Sequence, residues 1–295
     1  MKLLTILQNG KEKLGVKTNF GIIDLETTLE KYPNPDIPSN MMGLVHKNYR
    51  GLEILQQYLS NLPEDGVNYL NESLIEFGPV LPEPSKIICV GLNYKKHADE
   101  TNSPYPNEPI LFNKFNNTLA GHKQRVRIPK MTKQLDYEVE LGIVIGEETK
   151  EVSQEKALEY VFGYVTANDI SARDLQFTTS QWLLGKCCDD FTPVGPYLVT
   201  KDEIKNPNNL NLKTKINGKE KQNSNTADMI FHCDEIISYI SNYMTLKPGD
   251  LILTGTPEGV ILGDPKNEQI FLQSGDEMSL EVEGLGELTN TLIDE

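Results

Sequence analysis

Apolar positions outline the chain. Within residues 1–80 they form two short runs, at 3–7 and 21–25, each read as a strand. After a polar, Pro-containing stretch, KYPNPDIPSN, they recur at Leu52, Ile54, Leu55, Tyr58 and Leu59, close to the i, i+3, i+4 spacing of a helix with one buried face. The segment VLPEPSK, 80–86, has the composition of a linker. Beyond it the pattern changes to a series of strands at 87–91, 109–115, 138–146, 162–169, 194–200 and 210–218, with two more in 270–293. The runs at 87–91 and 109–115 are apolar enough to predict burial. Asn217 and Gly218 form an NG hairpin signal. Two helices interrupt the strands: a short one over 153–161 with Ser153 as N-cap, and an amphipathic one over 234–244 with Ile236, Ile240 and Tyr243 on one side. Strands and helices do not alternate as βαβ units, so a doubly wound sheet is disfavoured. The expected class is α+β and β-rich: a small N-terminal α+β domain over 1–80, packed on a main domain over 81–295 with a mixed, barrel-like sheet.

Charge narrows the function. The 295 residues carry a formal net charge of -15, which repels nucleic acid and anionic membrane surfaces alike. An anionic small molecule stays compatible if its site is made locally positive. The four cysteines show no CxxC spacing, and two of them, Cys187 and Cys188, are adjacent, so a reduced, cytoplasmic compartment is expected. The short apolar run at 3–7 is below the length of a secretory leader, and no stretch approaches the ~20 residues of a membrane span.

Within this frame, LDYEVELG stands out. Asp136, Glu138 and Glu140 recur at period two, which on a strand places three carboxylates on one face, opposite the apolar Val139, Leu141, Ile143 and Ile145. Two readings compete: the solvent face of an edge strand, or a site for a hard cation. In TANDISARDLQ, Asp169 ends an apolar strand and is read either as the N-cap of the helix that follows or as a ligand. If Glu138, Glu140 and Asp169 meet, they form an all-oxygen set suited to Mg²⁺ or Mn²⁺, with Ca²⁺ also compatible. In GLNYKKHADE, His97 and Glu100 lie at i, i+3, facing each other on a helix, either solvated or paired as a general base in a long polar loop that can act as a lid. Lys186, in QWLLGKCCDDFTPVGP, is either a snorkelling surface lysine or a stabiliser of developing negative charge held by Asp189. Trp182 is expected in the core. TGTPEGV ends a buried strand with small residues and the Thr256 hydroxyl, and reads as an ordinary turn or a carboxylate cradle.

Taken in order, GxNYxxHxxE, ExE, NDxSARDxQ, GKxxDxFxPxGP and KPGDxIxTGTPxGV resemble the fumarylacetoacetate hydrolase family over residues 85–290. The resemblance implies a mixed β-roll core, a homodimer, metal ligands Glu138, Glu140 and Asp169, a His97–Glu100 base dyad on a lid, and Lys186 as stabiliser of an enolate. Arg173, Gln176 and Thr256 match family positions close to substrate. It implies a divalent-metal-dependent enzyme acting on C–C bonds of a small anionic 2-oxo acid through a metal-bound enolate, by hydrolysis or decarboxylation. An isomerase of the 2-hydroxyhepta-2,4-diene-1,7-dioate type, or a non-catalytic metal-stabilised binding protein on the same core, is the alternative. The chain departs from fumarylacetoacetases proper in lacking a carboxylate among Val90, Gly91, Leu92 and Asn93, just before the dyad histidine.

Overall fold

The computed structural model describes residues 1–63 and 67–295. The chain opens with β1 (Lys2–Gln8), β2 (Lys11–Thr18) and β3 (Gly21–Asp24), a meander in which each strand pairs antiparallel with the next. Asn9 and Gly10 turn the first hairpin with φ of 54° and 74°, the left-handed pair that a two-residue turn between twisted strands requires. β2 is unmarked in the apolar pattern because Lys11, Glu12 and Lys13 open it and only Leu14, Gly15 and Val16 are buried. Then come α1 (Leu25–Lys31), capped by the Asp24 carboxylate, α2 (Met41–His46), capped by Asn40, and α3 (Asn48–Ser60), the helix expected around 52–59. β4 (Tyr69–Leu70) adds to the edge beside β3.

The rest of the chain runs β5 (Ile87–Gly91), α4 (Lys95–Glu100), β6 (Ile110–Lys114), β7 (Leu119–Ala120), β8 (Arg125–Ile128), β9 (Leu135–Asp136), β10 (Val139–Ile145), α5 (Gln154–Ala157), β11 (Val161–Asn168) and β12 (Ser171–Ala172). It continues through α6 (Arg173–Gln176), α7 (Leu183–Lys186), β13 (Thr192–Pro193), β14 (Leu198–Thr200), β15 (Asn211–Ile216), β16 (Lys219–Asn225), α8 (Cys233–Tyr243), β17 (Leu251–Leu253), β18 (Glu277–Val282) and β19 (Gly286–Asp294). Ten strands form one sheet in the order β4-β3-β2-β1-β14-β11-β10-β17-β5-β6, and five form a second, β16-β15-β18-β19-β8. The fold is α+β and strand-rich. The large sheet is open, ending at β4 and β6, and among the described residues no closed barrel forms. β1 pairs with β14, Leu3 opposite Leu198, so the strands of residues 1–80 extend the sheet of residues 81–295.

β10 sits between β11 and β17, and all seven of its residues are buried. Its odd positions, Val139, Leu141, Ile143 and Ile145, share a core with Leu212, Met278 and Leu280 of the second sheet and with Ile236, Ile237 and Ile240 of α8. On the other face Val144, Val165 and Leu251 pack with Leu44, Val45 and Leu55 of α2 and α3. A strand covered on both faces reads as a continuous apolar run, and a charge on it must find its partners inside the protein. Two local expectations fail. β6 is an edge strand, with Ile110 exposed rather than buried. Tyr243 ends α8 with its side chain in solvent. Ser153 holds the N-cap position of α5 as expected, without a side-chain capping hydrogen bond.

Candidate active site

The charged residues converge where β10 and β11 run out of apolar positions. Asp136, Glu138 and Glu140 are not on one strand: Asp136 lies in β9, opposite Ser171 of β12, and β10 begins only at Val139, opposite Asn168. At this break the Glu138 N–H donates to Asn168 Oδ1 at 3.0 Å, and the Asp169 N–H donates to the Glu138 carbonyl at 2.9 Å. These bonds bring Glu138, Glu140 and Asp169 together, one oxygen of each within 4.8 Å of the others, and all three are buried. The edge-strand reading of the acidic face therefore does not hold.

Three cations surround these carboxylates. Lys186, at the end of α7, places Nζ 2.7 Å from Glu138 Oε2 and 2.8 Å from Asp169 Oδ2. Asp189, expected to hold it, is exposed and accepts instead from Asn117 Nδ2. Arg173 opens α6 and donates through Nε to Asp136 Oδ2 at 2.9 Å and through an NH1 hydrogen to Gln176 Oε1 at 2.9 Å. Its NH2 group lies 2.7 Å from Glu138 Oε1 and 2.9 Å from Asp136 Oδ2, ion-pair distances without hydrogen-bond alignment. Lys114, on β6, is fully enclosed between the Asp169 carboxylate and the Phe191 carbonyl. Asp136 is buried rather than solvated. It also accepts from the Tyr137, Ile261 and Leu262 backbone N–H groups, and so locks the loop after β17 to the arginine.

The electrostatics separate two neighbouring glutamates. Burial would raise the Glu138 carboxyl, but the Lys186 ammonium and the Arg173 guanidinium outweigh it and hold it down at about 2. Glu140 goes the other way: burial, then Asp169 and Glu138, push it well above the usual carboxylate range. It accepts from the Gly255 N–H at 2.6 Å, and among the described residues it has no ion pair. Lys186 is itself raised: burial would lower it, but Asp169 and Glu138 prevail and keep it an ammonium.

Four buried carboxylates, Asp136, Glu138, Glu140 and Asp169, thus face three buried cations, with Glu140 uncompensated. A hard divalent cation fits this donor set. Its ligands would be Glu138, Glu140 and Asp169, and it would turn a net negative cluster into a net positive one able to attract an anion.

The dyad faces the same space. α4 sets His97 and Glu100 one turn apart, with Nδ1 2.7 Å from Oε1, and the other Glu100 oxygen accepts from the Gly259 N–H at 2.9 Å. Gly263 comes so close that a Cβ there would sit 2.6 Å from Glu100 Oε2 and would push the carboxylate from its place. His97, Glu138, Glu140, Asp169, Lys186 and Thr256 all line one cleft of about 1060 Å³. Arg173 and Gln176 line it too. The Thr256 hydroxyl accepts from Gln222 Nε2 at 2.9 Å, which leaves its own proton free to donate. Trp182 is half-buried on the cleft wall, not in the core. Asn93 is a buried brace: its amide bonds the Phe231 backbone and the Thr254 carbonyl.

Sequence reasoning missed Lys114 and gave Asp136 no partner. The signal for Lys114 was the one charge inside the mostly apolar PILFNKF.

Among known proteins, the chain matches the family described as Fumarylacetoacetate (FAA) hydrolase C-terminal over residues 86–293. It is 47% identical, over an alignment 311 positions long, to the fumarylacetoacetate hydrolase domain-containing protein 2 homolog of Dictyostelium discoideum, covering 99% of this chain and 97% of that protein. It is 39% identical to the mitochondrial oxaloacetate tautomerase fahd2 of Xenopus laevis, covering 95% and 86%. Among solved structures, a putative HpcE protein from Mycobacterium smegmatis aligns with a TM-score of 0.86 and 31% identity, covering 100% of this chain and 99% of that one. A maleylpyruvate hydrolase from Sphingobium sp. SYK-6, in complex with manganese (II) ion and pyruvate, aligns with a TM-score of 0.80 and 28% identity, covering 100% and 99%. No helix among the described residues is long and apolar enough to cross a membrane. Family match, full-length relatives and fold agree: the chain belongs to the fumarylacetoacetate hydrolase family.

Proposed function

We propose that this chain catalyses keto–enol tautomerisation of a small 2-oxo dicarboxylic acid of the oxaloacetate type, with Mg²⁺ or Mn²⁺ held by Glu138, Glu140 and Asp169. The observation that carries this reading is the His97–Glu100 dyad opening onto the same cleft as a buried three-carboxylate cluster and a buried lysine. The name borne by the Xenopus relative points the same way. A bound divalent ion supplies Lewis acidity toward the oxo oxygen and an anchor for the neighbouring carboxylate.

The protein's own groups do the rest. Glu100 accepts the Nδ1 proton of His97, which leaves the lone pair on Nε2. Nε2 removes a proton from C3, the C–H electrons become the C2–C3 double bond, and the oxo π pair moves onto oxygen. The Lys186 ammonium faces that charge. The imidazolium then returns the proton to oxygen, so the atoms balance with no water or co-reactant consumed. Gln176, its carbonyl end taken by Arg173, keeps its NH₂ to donate to substrate, as Thr256 keeps its hydroxyl proton.

A second reading, hydrolysis of the C–C bond beside the 2-oxo acid, draws support from the cleft volume of about 1060 Å³ and from the maleylpyruvate hydrolase likeness; the dyad would then deprotonate a water. The test is to mix metal-stripped protein with enol-oxaloacetate, with and without Mg²⁺ or Mn²⁺, and to follow enol absorbance and pyruvate together. Metal-dependent loss of enol without pyruvate is expected. Stoichiometric pyruvate would replace tautomerisation by decarboxylation, and no acceleration would overturn the reading.

A further inference from the structure

We infer that the cleft holds an apolar subsite, built by Phe112 and Trp182, that also admits 2-oxo acids carrying a flat aromatic group on C3. The inference rests on the 2-oxo acid reading of the same cleft.

The elements that place the catalytic cations also place this wall. Trp182 is the N-cap residue of α7 and stands four residues before Lys186, so ring and ammonium share one side of that turn. Phe112 precedes Lys114 by two on β6, so this ring and the buried lysine share one face of the strand. The two rings meet edge to face, centroids 5.3 Å apart at 74°. Lys186 Nζ lies 5.3 Å from the Phe112 centroid, which ties the wall directly to the charged end. Gly91 makes room: a Cβ there would lie 2.5 Å from the Trp182 ring. Both rings are half-buried, and each lines the cleft.

Such a surface mismatches the distal carboxylate of a four-carbon diacid, which would lose water there and gain no donor. It matches an aryl group, which would remove both rings from water and stack against them. A 2-oxo acid with its head at the carboxylate cluster reaches this wall through its C3 substituent. Lys266 and Gln269 also line the cleft, and these polar side chains offer a small diacid another seat. The subsite therefore governs preference between substrates rather than the proton transfer itself.

Trp182 is the only tryptophan in the chain, so its emission reports this wall directly. The experiment titrates the Mg²⁺-loaded protein with phenylpyruvate, corrected for absorbance, then adds oxalate as a head group without a ring. Turnover of phenylpyruvate and oxaloacetate is measured alongside. Expected are a saturable change in Trp182 emission, reversal by oxalate, and a phenylpyruvate-to-oxalate affinity ratio that falls about tenfold or more in Phe112→Ala. Phe112→Leu, a milder change if the alanine variant folds poorly, should lower the ratio less. Oxaloacetate turnover with no saturable phenylpyruvate signal, or an affinity ratio unmoved in both variants, overturns the subsite and leaves the tautomerase reading intact. A phenylpyruvate signal displaced by oxalate and weakened in the variants, without oxaloacetate turnover, supports the subsite and removes the oxaloacetate reading.

Discussion

Lys213 and Glu281 face each other across β15 and β18 at 2.8 Å; Lys186 and Glu138 meet at 2.7 Å. The groups are the same and the distances nearly so, but the side chains of the first pair are 40% and 39% exposed and those of the second 3% and 7%. Water screens the first pair, and ordering two long side chains offsets most of what remains, so such a contact contributes ~0.2–1 kcal/mol. The second pair gives up hydration at a cost of several kcal/mol per ion and regains it only through dense mutual compensation. A fold seeking stability alone would place apolar side chains there. A buried cluster of four carboxylates and three cations, open to a cleft on one side, makes sense as a site whose remaining charge is completed by a cation and an anion.

Breaking the buried cluster has the largest expected effect. Glu138→Ala removes a proposed ligand and the partner of both Lys186 and Arg173; kcat/KM is expected to fall on the order of a thousandfold, measured at saturating metal. Unchanged turnover would remove Glu138 from the site. Next comes Lys186→Met, which leaves Glu138 and Asp169 under-compensated and is expected to destabilise the protein by ~3–5 kcal/mol in denaturant unfolding. Mg²⁺ should restore part of that loss, and more in the variant than in the wild type, because a divalent ion supplies the missing charge.

A third environment lies between the two. His122 is partly buried, packs edge-on against Phe77, and accepts from the Thr289 N–H at Nδ1, 3.1 Å away, a bond only the unprotonated nitrogen can make. Burial first, and Lys123 second, lower the imidazole from 6.5 to about 4. Its folded value is depressed, so its contribution is fully present above pH 6.5 and is lost as pH falls through 4. Unfolding midpoints measured across that window should show the wild type losing stability relative to His122→Asn as pH falls from 6.5 to 4. Equal slopes would contradict the assignment. Smallest of all is Lys213→Ala, expected to change stability by ~0.5 kcal/mol and less in high salt. A loss as large as that of Lys186→Met would erase the distinction between the two environments.

The same division between screened and buried charge explains what the sequence made legible. Apolar runs found β5, β10, β11 and β17, because a strand buried on both faces leaves a continuous signal, and Asn217-Gly218 found the turn between β15 and β16. The motif order gathered His97, Glu100, Glu138, Glu140, Asp169 and Lys186, and the structure brings them to one cleft. What local pattern could not supply was partnership across the chain. Lys114 finds Asp169 fifty-five residues on, and Arg173 finds Asp136 thirty-seven residues back. Period two put Asp136, Glu138 and Glu140 on one strand, but the chain leaves β9 and re-enters as β10 between them, a break set by the side chain of Asn168. Trp182 looked like core because large aromatics usually are; its position four residues from Lys186 was the overlooked hint.

The most direct test of the central claim, that Glu138, Glu140 and Asp169 hold a divalent ion, compares Mn²⁺ binding by the metal-stripped wild type and Glu140→Gln, read by calorimetry. The variant keeps the acceptor for the Gly255 N–H and sheds a carboxylate that burial already pushes toward its neutral form, so it should stay folded without metal. The expected result is one saturable Mn²⁺ per chain in the wild type and affinity at least about a hundredfold weaker in the variant. Equal affinity in the two proteins would contradict the claim.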